Sequence, residues 1–315
     1  MARENNQDMY FADKRSQQIW RAKHIISRIF LYLFLTLFAL FILLPFWFMV
    51  ITSLKHPDAY DAERINSVVK LWADHPTIYN FQVIFGMPME GEVASVNYNF
   101  GQFFLNTIIF ALIATSLTVV STVLTAFAFA RLDFKGKEAL FALLLATMMI
   151  PGEMMIITNY QTIDGWMWKN TFAGLTLTNF VSVFYIFYLR QAFQMIPNEL
   201  YLASKVDGYG EFQYLWKVMI PVAMPTITTI TILSVMGAWN AYIWPRLIAN
   251  GTHPKFGNDM RLVSNGLMSL FKSAADGKDT IVIAGSMVVT APLLLIFVIF
   301  RQYIMRGVSR SGIKG

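Results

Sequence analysis

The chain has no cysteine and few charged residues. Only 14% of its 315 residues are Asp, Glu, Lys or Arg, against about 25% in an ordinary soluble domain. The missing cysteines exclude structural disulfides and thiolate chemistry. No metal site is expected either, because the four histidines lack ligand spacing; they are His24, His56, His75 and His253. Apolar residues make up 56% of the chain, which predicts a membrane protein.

A phosphate-binding loop is lacking as well. The pattern G-x-x-x-x-G-K-[ST] does not occur, and the segments "FKGKEA" and "DGKDT" have neither its glycine spacing nor the Ser or Thr after the lysine. The chain therefore cannot hold ATP in a P-loop. A membrane enzyme would also need acids, bases or metal ligands clustered in one leaflet, and the sequence has no such cluster. We expect a protein that is not itself an enzyme and binds no cofactor.

Six apolar runs are long enough to cross a bilayer, which takes roughly 20 residues each. They are 29–53, 104–130, 139–160, 174–195, 221–249 and 281–305. This predicts an all-α polytopic membrane protein with six transmembrane helices. The first run is too long for the apolar core of a signal peptide and has no small-residue cleavage site, so we expect a retained anchor.

The basic residues predict the orientation of the chain. With the N-terminus inside, sixteen Lys and Arg lie in inner segments and eight in outer loops. The positive-inside rule then places both termini in the cytoplasm. The cytoplasmic segments are a basic tail (1–28) and a C-terminal tail (306–315), whereas the polar loop 54–103 lies outside. This bias accounts for the net charge of +6 without nucleic-acid binding.

Several polar residues interrupt the apolar runs. Glu153 follows Pro151 and Gly152, so a broken helix with a carboxylate predicts either a water-filled cavity or contact with the outer headgroups. Asn179 and Tyr185 are polar groups in the fourth run. In the fifth run, Trp239 and Asn240 would suit either helix packing or a sugar ring. These five residues are the candidates for a substrate pathway.

The connection 197–220, hereafter the 197–220 loop, has the punctuation of a surface helix–turn–helix. Pro197 or Asn198 can start a helix, and Gly208 suits the left-handed position that ends one. Leu200, Ala203 and Val206 form an apolar stripe along that helix. We expect Asp207 to accept backbone N–H bonds of the turn. Gly210 can cap a second short helix, with Pro221 at the start of the fifth span. Such a compact protrusion predicts a docking site.

The 197–220 loop resembles the cytoplasmic loop of permease subunits in binding-protein-dependent ABC importers. That pattern is Glu-Ala-Ala, three residues, Gly, and about nine residues later Ile-x-Leu-Pro. Here it reads 202–204 (Leu-Ala-Ser), Gly208 and 218–221 (Val-Met-Ile-Pro). The segments "YNFQVIF", "FLNTIIFALIAT", "AFAFARLDFKGK", "MMIPGEMM", "YLRQAF", "WNAYIWP" and "RGVSRSGIKG" are also similar to the carbohydrate-uptake branch. The resemblance extends from residue 30 onward and is greatest to the smaller maltose-type permease.

Two departures concern the contact with the ATPase. Leu202 replaces the family's Glu and Ser204 replaces its second Ala, so the ion pair of that Glu is missing or is supplied by Glu199 one turn earlier. Gly210 stands where the family often has Ser or Thr. The resemblance nevertheless assigns ATPase coupling to one set of residues. They are Glu199, Leu202, Ala203, Ser204, Asp207, Gly208 and Pro221.

The resemblance implies a type I ABC importer permease fold in a bacterial or archaeal cytoplasmic membrane. It implies a homologous second permease, two ATP-binding cassette subunits that use ATP and Mg, and an extracytoplasmic sugar-binding protein. The alternative is a secondary transporter or channel driven by an ion gradient. Glu153 favours that alternative, but a single acidic residue and the lack of a visible inverted repeat speak against it.

Overall fold

The computed structural model describes residues 14–66, 70–87, 100–178, 180–274 and 279–309. Within these ranges the backbone is helical apart from turns, loops and one isolated antiparallel bridge between Thr252 and Asp259. The helices are α1 (Lys14–Ser53), α2 (Pro57–Ile65), α3 (Tyr79–Phe85), α4 (Phe100–Arg131), α5 (Lys137–Thr147), α6 (Ile156–Gly165), α7 (Phe172–Thr176), α8 (Val183–Gln194), α9 (Asn198–Val206), α10 (Glu211–Trp239), α11 (Ile243–Ile248), α12 (Val263–Ala274) and α13 (Asp279–Ser309).

Four of the described helices are long and apolar enough to cross a membrane: α1, α4, α10 and α13. A fifth span results if α5 and Gly152–Gly165 count as one, although the two are bent by 84°. The protein is thus a multi-pass membrane protein. In the described chain α1 begins at Lys14 and α13 extends to Ser309, so helices continue into both segments that the sequence predicted as tails.

The third and fourth predicted spans are not continuous helices. Pro151 separates α5 from a 3-10 turn, Gly152–Met155, which leads into α6. The fourth run is divided between α7 and α8. The Thr171 hydroxyl accepts a bond from Gly174 N, and the Ser182 hydroxyl accepts one from Tyr185 N, so each side chain starts a new helix.

The fifth predicted span begins ten residues early. Helix α10 starts at Glu211 and continues through a π-helical turn, Leu215–Met219, and past Pro221 to Trp239. A π turn shifts the backbone bonding pattern, which lets the chain continue where proline has no N–H to donate. The expected second short helix is therefore the first turns of the span itself. A displacement of the 197–220 loop acts directly on a long helix.

Three buried apolar clusters hold the bundle together. The first joins α4, α8 and α10 through residues such as Phe127, Phe193 and Leu215. The second joins the start of α4 to α3, α12 and α13. The third lies between α4, α6, α7 and α11, around Phe110 and Ile163. The first cluster lies beside the 197–220 loop, and the cavity described below borders the third.

Candidate functional site

The turn of the 197–220 loop has the geometry expected for its glycine. Gly208 has φ +78°, the left-handed region. Gly208 N donates to Lys205 O at 3.1 Å, and Tyr209 N donates to Ser204 O at 2.9 Å. These two bonds form a complete Schellman motif, which satisfies carbonyls at the end of α9. Gly210 then caps α10, with the Gln213 side chain accepting its N–H at 3.2 Å.

A polar cluster braces the two helices of the loop. Lys205 Nζ donates to Glu211 Oε1 at 2.6 Å, and the Tyr201 hydroxyl donates to the same oxygen at 2.8 Å. The Tyr201 ring meets the buried Tyr214 ring edge to face at 5.1 Å. The bond to Glu211 raises the pKa of Lys205, so the ammonium stays charged. The loop is thus a braced unit.

Both helices of the loop expose large apolar side chains. Val206 is 88% exposed and Phe212 63% exposed, and Leu202 and Trp216 are also exposed. Ser204 is buried instead, and its hydroxyl donates to Tyr201 O. The helix therefore turns its polar serine inward and its apolar side chains outward. Exposed large apolar groups on a braced protrusion are typical of a protein interface.

The remaining predicted coupling residues differ in their surroundings. Glu199 and Ala203 are exposed, and neither Glu199 nor Asp207 has a side-chain hydrogen bond to any described residue. The expectation that Asp207 accepts turn N–H bonds is wrong, because the Schellman bonds already engage those N–H groups. Pro197 precedes α9, so Asn198 occupies the first turn and does not cap it.

A cavity of about 730 Å³ lies in the bundle between α4, α6, α8 and α10. Three predicted pathway residues line it: Glu153, Tyr185 and Asn240. Asn179 lies outside the described residues. The other lining residues are Phe110, Ala114, Thr118, Gly152, Ile156, Asn159, Leu175, Thr176, Ser182, Ser234, Gly237, Ala238, Ala241, Tyr242, Ile243 and Trp244.

Trp239 does not line the cavity. Its side chain is 6% exposed, its Nε1 donates to Val289 O of α13 at 3.1 Å, and its ring lies 5.8 Å from the ring of Phe104. Consecutive residues of a helix point about 100° apart. Trp239 therefore faces α13, while Asn240 at the helix end borders the cavity. Of the two readings of Trp239 from the sequence, packing is the one that fits this geometry.

The cavity lining is mostly apolar and includes several hydroxyl and amide groups. Hydroxyls come from Thr118, Thr176 and Ser234, and amides from Asn159 and Asn240. Aromatic rings contribute flat apolar surface beside them, which suits a polyhydroxylated ligand with hydrogen-bonding edges and an apolar face. Glu153 is the carboxylate among the described lining residues, and no Lys, Arg or His lines the cavity there.

Sequence reasoning missed Asn159, Thr118 and Ser234. Asn159 follows Glu153 and Ile156 at spacing three, which puts all three on one helical face, so this signal was present. Thr118 lies in a span rich in small polar residues that suited helix packing and pathway lining equally. Within the described ranges no group of three or more His, Cys, Asp or Glu could hold a metal ion.

Comparison with known proteins places this architecture in one family. Residues 122–311 match the family described as binding-protein-dependent transport system inner membrane component. The chain is 27% identical over 290 residues to the arabinooligosaccharides transport system permease protein AraQ of Bacillus subtilis, covering 92% of this chain and 97% of that protein. It is 28% identical over 232 residues to the lactose transport system permease protein LacG of Rhizobium radiobacter, covering 73% and 82%.

A solved structure shares the fold. It is the crystal structure of a bacterial ABC transporter involved in the import of the acidic polysaccharide alginate. The TM-score is 0.70 at 19% identity, and the match covers 93% of this chain and 99% of that chain. The helices described above therefore have the arrangement of an ABC importer permease.

Proposed function

The chain belongs to the family of inner membrane components of binding-protein-dependent transport systems, and we propose that it is the permease of an ATP-driven sugar importer. It forms the translocation pathway with a second, homologous permease. An extracytoplasmic binding protein delivers the sugar, and two ATP-binding cassette subunits supply the energy. This chain contributes no catalysis and binds no nucleotide, and the ATP and Mg are used by those partner subunits.

The 197–220 loop is the docking site for an ATPase subunit. The observation that carries this assignment is its braced, outward apolar face of Leu202, Val206, Phe212 and Trp216. Glu199 and Asp207 add exposed carboxylates beside this face, suited to basic residues of a partner. Ala203 and Gly208 have no bulky side chain, so a groove of the ATPase subunit can fit closely around the loop. Closure of the ATPase dimer then moves the loop and, through α10, the wall of the cavity.

Both termini lie on the cytoplasmic side, with six membrane crossings. The third crossing consists of α5 with α6, and the fourth of α7 with α8. Irregular backbone at membrane depth is tolerated where it borders protein or a cavity, and the segments around Glu153 and Ser182 both border the cavity. An even number of crossings returns the chain to the side on which it started.

The cargo is a carbohydrate. Support comes from a cavity that combines hydroxyl and amide groups with aromatic rings, and from relatives whose names specify arabinooligosaccharides and lactose. Glu153, Tyr185 and Asn240 contact the sugar directly in this proposal. Asn179, assigned to the same pathway from the sequence, lies outside the described residues and stays a prediction. Trp239 supports the wall from behind through its contact with α13.

Reconstitution in proteoliposomes tests the function. The complex that co-purifies with this chain is inserted in vesicles, and sugar uptake is measured with ATP, without ATP, and with a proton gradient alone. We expect uptake only with ATP and binding protein. Uptake by this chain alone, or uptake driven by the gradient without ATP, would instead support the secondary transporter suggested by Glu153. Crosslinks from Val206→Cys to an ATPase subunit test the docking site separately.

A further inference from the structure

Two arginines connect the ends of α4 and α8 in a reciprocal way. Arg131, the last residue of α4, donates through Nη2 to Phe193 O at 3.2 Å and Ile196 O at 2.5 Å, at the end of α8. Arg190, in α8, donates through Nε to Phe129 O at 3.1 Å, in the last turn of α4. Each arginine therefore binds a carbonyl in the last turn of the helix to which it does not belong, and Arg131 also binds the Ile196 carbonyl just after α8.

The two arginines offset the partial negative charge at the C-terminal ends of α4 and α8. Both helices end at the same place, so two sets of unpaired carbonyls, each equivalent to roughly half a negative charge, lie side by side. Arg131 and Arg190 put positive charge between them. Arg190 is 7% exposed, and its guanidinium stacks over the Phe141 ring at 4.0 Å. Arg190 Nη2 also pairs with Glu138 Oε1 at 3.1 Å, which connects α5 to the ends of α4 and α8.

The contacts of Arg131 also hold the chain that leads into α9. Ile196, whose carbonyl Arg131 holds, immediately precedes Pro197 and the start of α9. The connection between α8 and the 197–220 loop is thus fixed to the end of α4. The first apolar cluster, with Phe127, Phe193 and Tyr214, lies directly behind it. A displacement of α9 is therefore resisted by α4, α8 and α10 together.

We propose that Arg131 and Arg190 are positioning residues for energy coupling, hereafter the arginine clamp. They make the ends of α4, α5 and α8 one rigid body with the base of α9. Movement imposed on the 197–220 loop then tilts α4, α5 and α8 together with α10, whereas without these contacts the movement would pass to α10 alone. The inference rests on the proposed function, because it assumes that an ATPase moves this loop.

The contacts predict different rescue at the two positions. Arg131 uses one nitrogen, Nη2, for both carbonyls, so a lysine ammonium can replace it. Arg190 uses Nε for Phe129 O and Nη2 for Glu138, and it stacks on Phe141, which needs the planar fork. Arg131→Lys should therefore keep coupling, whereas Arg190→Lys should lose it.

The experiment measures sugar uptake and ATP hydrolysis in the same proteoliposomes containing the full complex. Arg131→Met and Arg190→Met should lower the sugar carried per ATP about fivefold or more, with hydrolysis within about twofold of wild type. Lys135→Met, an exposed lysine in the following loop without a described side-chain contact, is the matched control and should keep the wild-type ratio. Unchanged ratios in both Met variants would overturn the clamp, and so would parallel loss of uptake, hydrolysis and assembled complex.

A distance measurement separates the clamp from the proposed function. The chain has no cysteine of its own, so spin labels can be placed at Asp207→Cys and Leu124→Cys, which are both exposed. We expect a narrow distance distribution in the wild-type background and a broader one with Arg131→Met. Equal widths would refute the clamp even in an active complex. A wild-type complex without ATP-dependent uptake would refute the proposed function, while the widths would still decide whether the joint is rigid.

Discussion

The most direct prediction concerns Gly208, because its surroundings isolate one physical effect. A Cβ added there meets no atom within 4 Å, so a substitution causes no clash. The backbone, however, has φ +78°, where an L-residue costs about 1–2 kcal/mol and a β-branched residue more. Gly208→Ala therefore disfavours the formed turn about 5- to 30-fold, and Gly208→Val disfavours it further.

The assay is ATP-dependent uptake normalised to assembled complex. We expect the order Gly208 > Asn > Ala > Val at this position, since Asn tolerates the left-handed region better than Ala. Gly210→Ser is the matched control: the φ of Gly210 is −71°, an added Cβ meets no atom within 4 Å, and serine is a favoured N-cap residue, so uptake should be near wild type. If Gly208→Val transports normally, or if Gly210→Ser is equally harmful, the argument from turn geometry is wrong.

Three further predictions concern the docking face, the cavity and the packing behind it. Val206→Asp should weaken co-purification of the ATPase at least tenfold without loss of the permease, whereas Val206→Ile should not; equal recovery would remove this face from the interface. Glu153→Gln should raise the KM for sugar about tenfold through loss of a charge-assisted hydrogen bond, and unchanged rate and pH dependence would place the carboxylate outside the pathway. Trp239→Ala should cost about 3–5 kcal/mol of stability, seen as a lower melting temperature of the purified complex, with uptake per assembled complex retained; an altered sugar preference would contradict its packing role.

The turn of the 197–220 loop could be predicted because its signals are local. A proline before a helix and a glycine after it specify backbone dihedrals independently of the rest of the fold. Gly208 accordingly adopts positive φ, and Gly210 caps α10. The family resemblance was equally accessible, since it rests on short motifs in order along the chain, and the match over 122–311 confirms it.

The continuity of the spans could not be predicted from hydropathy. A window of apolar residues does not distinguish one helix from two when the break is made by a hydroxyl cap, as at Thr171 and Ser182. Hydropathy also does not predict the π turn through which α10 continues past Pro221. The direction of the Trp239 side chain depended on where α13 packs, which is a tertiary fact. The clamp residues were counted only as positive-inside charges, because their partners are backbone carbonyls of another helix.

The distance between the loop and the cavity explains why rigidity matters. Thr118, which lines the cavity, lies about 20 Å from Arg131 along the helical rise of α4. Between them the first apolar cluster packs α4 against α8 and α10, and close-packed interiors yield little under load. Displacement of the 197–220 loop can therefore reach the cavity wall as a tilt of whole helices. The chain between α8 and α9 is not helical at Pro197, and Arg131 holds it there through the carbonyl of the buried Ile196.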